Sequence, residues 1–211
     1  MSTWICNNWL YVKHYLLDSI NLAYIEEQLN KIGLEAERFP GVEQSETISG
    51  YRGSLLSHLT IIKKALDGNL GNILIIEDDC VFVDGFNEKC DMVIDDMINV
   101  SPRWDLLFFY FYQCCNHTRF KNISPNLRLI QSTLGTHFYG INSNSLAKLF
   151  NLISKTDNKL LPHHVSEAID RVYIENDTEI DIVASMTNLV SQIPGHSDTA
   201  NNFVARTTNI H

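Results

Sequence analysis

The stretch that decides the fold is Ile73-Leu-Ile-Ile-Glu77-Asp78-Asp79, an apolar run that ends in three consecutive carboxylates. A continuous apolar run predicts a strand that is buried on both faces of a largely parallel sheet. In open α/β sheets, ligands bind in the crevice beyond the carboxyl ends of the strands. We therefore expect the three carboxylates to lie at the edge of the sheet where a ligand binds.

Helix and strand patterns alternate on both sides of this run. Apolar spacing and turn signals predict, before residue 113, strands at 9–12, 37–39, 72–76 and 104–112 and helices at about 19–32, 51–66 and 85–99. The rest of the chain predicts strands at 127–131, 137–141, 180–184 and 189–192 and helices at 143–155 and 165–174. The alternation favours βαβ units, and so an α/β fold whose Rossmann-like first half has a mostly parallel sheet. The second half is predicted to be smaller and of α+β type.

Composition limits the classes of function. The chain has 211 residues, 45% of them hydrophobic, which suits one globular domain over 1–211 and excludes a disordered chain. Sixteen Lys and Arg against 25 Asp and Glu give a formal charge of -9, which disfavours nucleic acid as a partner. An anionic small molecule remains compatible if a metal ion or a local basic patch supplies positive charge.

The cysteines and the N-terminus indicate a compartment. Five cysteines are odd in number, and Cys114 and Cys115 are adjacent, so we expect reduced thiols. No secretory signal pattern or membrane-length apolar run is recognisable, which predicts a cytoplasmic protein.

The acidic triplet suggests a cation site. Neighbouring carboxylates raise one another's pKa unless a cation neutralises them. Glu77 and Asp79 would present oxygen ligands on one side of an extended segment, in a pattern that suits Mg²⁺ or Mn²⁺ bridging a pyrophosphate. The alternative is a solvated acidic turn at the end of a strand.

Several motifs occur in a characteristic order and spacing along the chain. Their specific part is the Leu-Ser57-His58 segment about twenty residues before the strand that ends in Glu-Asp-Asp. The supporting motifs are Glu37-Arg-Phe-Pro-Gly-Val42, Gly50-Tyr-Arg-Gly-Ser-Leu-Leu-Ser57-His58-Leu59, Trp104-Asp105-Leu106, Phe138-Tyr139-Gly140-Ile141, Ala147-Lys148-Leu149, Ile169-Asp170, Val190-Ser-Gln192 and Ser197-Asp198. In this order and spacing the motifs resemble glycosyltransferase family 25, the lipooligosaccharide and procollagen galactosyltransferase family, over roughly residues 20–200.

This resemblance implies a GT-A-like fold, a nucleoside diphosphate sugar donor, a divalent metal and an inverting mechanism. By position, Glu77 and Asp79 resemble the metal-binding pair, and Asp78 would lie close to the donor ribose or sugar. GT-A enzymes often add a histidine from near the C-terminus, for which His196 is the candidate. The alternative for His196 is an exposed loop residue.

Three residues of the predicted second helix are candidates for binding the donor. His58 is expected to be hydrogen-bonded beneath the donor site, and Ser57 to face either the nucleotide or the preceding backbone. Arg52 lies where the family usually has an acidic residue, and it is either a local positive charge or a helix-surface residue. Lys13 and His14 could replace the basic groups that follow the first strand in the family.

An inverting transferase needs a carboxylate to accept the proton of the acceptor hydroxyl. Asp170 aligns with an aspartate in the family's acceptor half and is the candidate base. Glu167 and Asp198 are rival candidates, and Asp170 could instead be a surface residue paired with a cation.

The function expected is transfer of a hexose from a UDP-sugar to a hydroxyl of a glycan or of a hydroxylated protein side chain, with Mn²⁺ or Mg²⁺. Residues 1–112 would bind the nucleotide sugar, and residues 113–211 the acceptor. A homodimer is possible. Two alternatives stay open: a non-catalytic nucleotide-sugar or carbohydrate-binding module on the same fold, and a metal-dependent phosphohydrolase.

Overall fold

The computed structural model describes residues 8–13, 19–43, 45–111, 120–131, 133–157, 168–193, 195–197 and 202–204. Its strands are β1 (Asn8–Lys13), β2 (Glu37–Pro40), β3 (Ile73–Glu77), β4 (Cys80–Phe82), β5 (Leu106–Phe108), β6 (Phe120–Asn122), β7 (Leu127–Ile130), β8 (Phe138–Ile141), β9 (Ile182–Ser185), β10 (Val190–Gln192), β11 (Gly195–Ser197) and β12 (Asn202–Val204). Its helices are α1 (Ser19–Ile32), α2 (Gly50–Asp67), α3 (Phe86–Val100), α4 (Leu146–Asp157) and α5 (Ile169–Glu175).

Eight strands form one central sheet in the order β2-β1-β3-β8-β5-β9-β7-β6. The strands β2, β1 and β3 are parallel, as are β5 and β9, whereas β8 and β7 run antiparallel to their neighbours. The α/β fold predicted from the sequence is confirmed, with a parallel first part and a mixed second part. β3 is buried throughout because it lies between β1 and β8, which explains its unbroken apolar sequence.

Helices cover both faces of this sheet. One apolar core joins the sheet to α1 and α3 and contains Leu74 and Ile76 of β3. The other joins it to α2, α4 and α5 and contains Ile73 and Ile75. Because side chains alternate along a strand, Glu77 follows Ile75 onto the face covered by α2 and α5.

Most predicted elements are found within a few residues, and two differ in extent. Of the helix predicted at 165–174, residues 165–167 lie outside the described residues, and the described part corresponds to α5. The strand predicted at 104–112 is paired only over 106–108, because Phe109 turns its carbonyl to the amide of Leu189. The helix predicted from residue 143 begins with a 3₁₀ turn at Ser143–Ser145, and α4 follows.

Two further observations bear on the sequence expectations. None of the helices in the described part of the chain is both long and apolar enough to cross a membrane. Cys80 and Cys90 are buried free thiols, in agreement with the expectation for those two. Cys6, Cys114 and Cys115 lie outside the described residues.

Candidate active site at the carboxyl end of β3

The acidic triplet lies where β3 ends, and the backbone there is held by β8. The amide of Glu77 donates to the carbonyl of His137 over 2.7 Å. The thiol of Cys80 donates to the same carbonyl over 2.9 Å. Residues 77–80 are therefore fixed to the segment that leads into β8.

The carboxylate of Glu77 is buried among polar side chains. The residue is 8% exposed, and its Oε1 accepts a hydrogen bond from the hydroxyl of Thr136 over 2.8 Å. His58 Nε2 lies 3.4 Å from Oε1, and His137 Nδ1 lies 4.0 Å from Oε2. These contacts offset the desolvation of a buried carboxylate and fix its orientation.

Asp78 and Asp79 have different surroundings. Asp78 is buried, whereas Asp79 is partly exposed. The carboxylate of Asp79 accepts from the amide nitrogen of Gln192 over 2.8 Å, and its carbonyl accepts from the amide of Ile193. Because β10 pairs with β4, residues 190–193 form one wall beside the triplet.

His58 projects from α2 into the interior, as expected from the sequence, and it has no exposed surface. Its Nδ1 lies 2.9 Å from the hydroxyl of Tyr139, which lies 3.1 Å from the hydroxyl of Tyr173. His58 thus connects Glu77 with two buried tyrosines.

Ser57 bonds the backbone around it. Its hydroxyl donates to the carbonyl of Gly53 over 2.7 Å and accepts from the amide of Val42 over 2.8 Å. Of the two partners expected for Ser57, the structure shows the preceding backbone. A Cβ on Gly53 would lie 2.6 Å from the carbonyl oxygen of Val42, so the 39–42 segment packs closely against α2.

Arg52 lies in the first turn of α2 and is partly exposed. Its amide donates to the hydroxyl of Ser49, the N-cap of the helix. Ser49 satisfies one of the amides that a helix leaves unbonded at its start, which fixes where α2 begins.

Asp170, in the first turn of α5, is partly exposed and bonds the loop before β8. Its Oδ2 accepts from the amide of Gly135 over 3.3 Å. Burial raises the pKa of Asp170, against the opposing effect of hydrogen bonds from the amides of Gly135 and Arg171, and the negative charge of Glu77 raises it further. Asp170 is therefore close enough to Glu77 for the two carboxylates to influence each other's charge.

The segment Gly135–Thr136–His137 joins the two carboxylates. Gly135 bonds Asp170, Thr136 bonds Glu77, and the His137 ring lies 4.3 Å from the ring of Tyr110, centroid to centroid. Gly135 has φ +91°, and a Cβ there would lie 2.7 Å from the ring of His137. The sequence analysis missed the role of this segment, and the only local signal was its position directly before the Phe138-Tyr139-Gly140-Ile141 motif.

Some candidates fall outside what the structure describes. His196 lies in β11, whose side chains are outside the described residues. Lys13 has a described backbone only, and His14, Glu167 and Asp198 are outside the described ranges.

The triplet fits a hard divalent cation by the chemistry of its donors. No three His, Cys, Asp or Glu side chains of the described residues form a metal-binding group by themselves. Mg²⁺ and similar ions are commonly held by one or two carboxylates together with substrate phosphates and water. The oxygen donors of Glu77 and the partly exposed Asp79 suit that mode of binding.

Comparison with known proteins gives a family match and weak structural similarities. The family model for glycosyltransferase family 25 (LPS biosynthesis protein) matches residues 18–170. No curated protein matches the sequence. Among solved structures, A197 from STIV is 11% identical, with a TM-score of 0.47, over 97% of this chain and 99% of that one.

Two further structures show similarity at the same level. UDP-glucose pyrophosphorylase complexed with UDP-glucose is 10% identical, with a TM-score of 0.46, over 84% of this chain and 72% of that one. A glycosyltransferase involved in glycosylation of the major capsid of PBCV-1 is 11% identical, with a TM-score of 0.42, over 84% and 93%. The family match alone bears on assignment.

Proposed function

The chain belongs to glycosyltransferase family 25, and we propose that it transfers a hexose from a UDP-sugar to a hydroxyl group, with inversion and with a divalent metal. The acceptor is a glycan or a hydroxylated protein side chain. The observation that carries this proposal is the link between Glu77 and Asp170 through the 135–137 segment. This link supports a single site that contains the buried carboxyl end of β3 and Asp170, whose pKa is raised.

Donor binding is assigned to the carboxyl end of β3. Glu77 and Asp79 would hold Mn²⁺ or Mg²⁺, with His196 as a candidate third ligand. The ion would offset the negative charge of the donor's diphosphate. Such a counter-charge is needed because the protein itself has a net negative charge. Asp78 would bind the ribose or the sugar, and Arg52 would contact the donor's negative charge. Ser57 and His58 would shape the floor of the site from α2.

Asp170 is the proposed base. As the acceptor oxygen attacks the anomeric carbon, the bond from that carbon to the diphosphate oxygen breaks, and the hydroxyl proton passes to Asp170. Attack from the face opposite the diphosphate inverts the anomeric configuration. The raised pKa of Asp170 favours this transfer, since it makes the carboxylate a stronger base than an exposed aspartate.

The two parts of the chain divide the substrates in this proposal. Residues 1–112 contain β1, β2 and β3 and would bind the nucleotide sugar. Residues 113–211 contain α5 and the segment before β8, and they would present the acceptor to Asp170.

A panel of nucleotide sugars tests the proposal, because water often replaces an absent acceptor. We expect Mn²⁺-dependent release of UDP from one UDP-sugar, and its loss in Asp79→Ala and Asp170→Asn. Asp67→Asn, at an exposed position of α2, is the matched control and should keep the activity. Donor binding without turnover would identify a binding module instead, and release of inorganic phosphate would identify a phosphohydrolase.

A further inference from the structure

We propose that His58, Tyr139 and Tyr173 form a buried hydrogen-bond chain that positions the carboxylate of Glu77 and links it to helix α5. The proposal rests on the function proposed above, in which Glu77 helps to hold the cation. These three side chains would be positioning residues, because they act through Glu77 and touch no substrate.

Geometry defines the chain from end to end. The hydroxyls of Tyr173 and Tyr139 lie 3.1 Å apart, and the hydroxyl of Tyr139 lies 2.9 Å from Nδ1 of His58. The opposite ring nitrogen, Nε2, faces Oε1 of Glu77 at 3.4 Å. His58 and Tyr139 have no exposed surface and Tyr173 is 1% exposed, so the chain is shielded from bulk water.

Hydrogen-bonding chemistry gives the chain a direction. A carboxylate only accepts hydrogen bonds, whereas a hydroxyl can both donate and accept. Burial raises the pKa of both tyrosines, which keeps their hydroxyls protonated. We therefore assign the donors in the order Tyr173 to Tyr139, Tyr139 to Nδ1, and Nε2–H towards Glu77, because this order presents a proton to the carboxylate.

Packing alone does not account for this set of residues. The three polar groups lie among apolar side chains of the core shared by α2, α4 and α5. Buried polar groups are unfavourable unless they are hydrogen-bonded, so leucine or phenylalanine would fill the same space at lower cost in free energy. A continuous chain that ends on Glu77 gives these groups both their partners and a role.

The chain also connects the two proposed functional carboxylates. Tyr173 and Asp170 stand three residues apart on α5, so they lie on neighbouring positions of one helix. Asp170 reaches the acidic edge through Gly135, and Tyr173 reaches it through Tyr139 and His58. These two tethers fix the position of α5, and with it Asp170, relative to Glu77.

Isosteric removal of single hydroxyls tests the proposal. In Tyr139→Phe we expect Mn²⁺ affinity, measured by calorimetry in the presence of UDP, to fall about tenfold, as is common when the residues that orient metal ligands are changed. Tyr173→Phe should cause a smaller loss. Ser145→Ala is the control, because it also removes a buried hydroxyl that bonds a carboxylate, Asp105, at the opposite end of the sheet. It should bind Mn²⁺ as the unmodified protein does.

Nitrogen-15 NMR of the His58 ring provides a readout independent of activity. We expect a neutral ring with its proton on Nε2, and loss of that preference in Tyr139→Phe but not in Ser145→Ala. A proton on Nδ1 in the unmodified protein, or unchanged Mn²⁺ affinity in Tyr139→Phe, would overturn the proposal. If the unmodified protein binds no Mn²⁺ with UDP, the proposed function fails, and the positioning role fails with it even where NMR finds the chain intact.

Discussion

Glu77 and Asp79 are two residues apart, yet they have different surroundings. Glu77 is enclosed by Thr136, His58 and His137, whereas Asp79 is partly exposed and bonds Gln192. Asp79 is therefore held by the wall at residues 190–193, whereas Glu77 is held by the segment before β8 and by α2. Glu77 is the more rigid of the two, because its orientation is fixed from several sides.

At the residue scale, the raised pKa of Asp170 predicts a pH dependence. A base acts in its deprotonated form, so kcat should fall as pH drops through the pKa of Asp170. Because that pKa is raised, the fall should begin at a higher pH than for an exposed aspartate. Glu77 and Arg171 are the charged neighbours that influence it. This fall of kcat, the acidic limb of the pH–rate profile, can be measured for transfer or for donor hydrolysis.

Substitution of the same residue gives a second expectation. Asp170→Asn should lower kcat by about 10² or more, as for loss of a general base, and should abolish the acidic limb. Asp177→Asn, just beyond the end of α5, serves as the control. It should retain the kcat of the unmodified protein and the fall of kcat at acidic pH. An unchanged limb in Asp170→Asn would assign the base to another group.

At the scale of elements, the loop before β8 is the part that assembles the site. Gly135 adopts φ +91°, which L residues rarely adopt, and the ring of His137 packs directly against it. The same three residues bond both Asp170 and Glu77. A change in this loop should therefore disturb catalysis as well as stability.

Gly135→Ala tests this expectation. The added methyl group must displace the ring of His137, so we expect kcat to fall at least tenfold and the protein to lose about 1–3 kcal/mol of stability. Gly33→Ala is a matched control, since Gly33 has φ +66° but no atom within 4 Å of the added Cβ. The free energy of unfolding of Gly33→Ala should fall by about 1 kcal/mol, and its kcat should be unchanged. Urea denaturation and donor hydrolysis measure the two effects, and equal kcat in the two variants would contradict this role for the loop.

At the scale of the whole molecule, Asp105 joins elements at the end of the sheet opposite the acidic triplet. Its carboxylate accepts from Ser145, from Lys148 and from the amide of Asp181, and so connects β5, α4 and β9. Burial by itself would raise the pKa of Asp105, but these hydrogen bonds and the charge of Lys148 outweigh it, and the pKa is lowered.

Asp105→Ala should destabilise the fold by about 3 kcal/mol, because it removes the acceptor of the buried hydroxyl of Ser145 and of two partly buried donors, Lys148 and the amide of Asp181. Because the pKa of Asp105 is lowered in the folded protein, its carboxylate stabilises the fold at neutral pH. This stabilisation is lost as pH falls through the lowered pKa of Asp105. Asp181→Asn, which loses only an ion pair with the exposed Arg103, should cost less than about 1 kcal/mol. Denaturation at neutral and acidic pH measures both. Equal loss in the two variants would contradict the structural role of Asp105.

The elements could be predicted from sequence because their patterns are local. The sequence patterns predict β3, α2 and α3 to within one residue at each end. The ends of β5 were less predictable, because they depend on Leu189, which is distant along the chain.

The assembly of the site could be predicted only in part. The motif order located the triplet, His58 and Asp170, but their partners are set by tertiary packing. His58 meets Tyr139 across 81 positions of sequence, and Asp170 meets Gly135 across 35. No local periodicity encodes such pairs. The backbone partners of Ser57 were likewise decided by how the 39–42 segment packs on α2.

The central claim is that the end of β3 binds a nucleoside diphosphate through a divalent cation. Calorimetric titration of UDP into the protein, with and without Mn²⁺, tests it most directly. We predict binding that requires Mn²⁺ and that Asp79→Ala abolishes, while Asp67→Asn retains it. Metal-independent binding of UDP, or undiminished Mn²⁺-dependent binding in Asp79→Ala, would contradict the account.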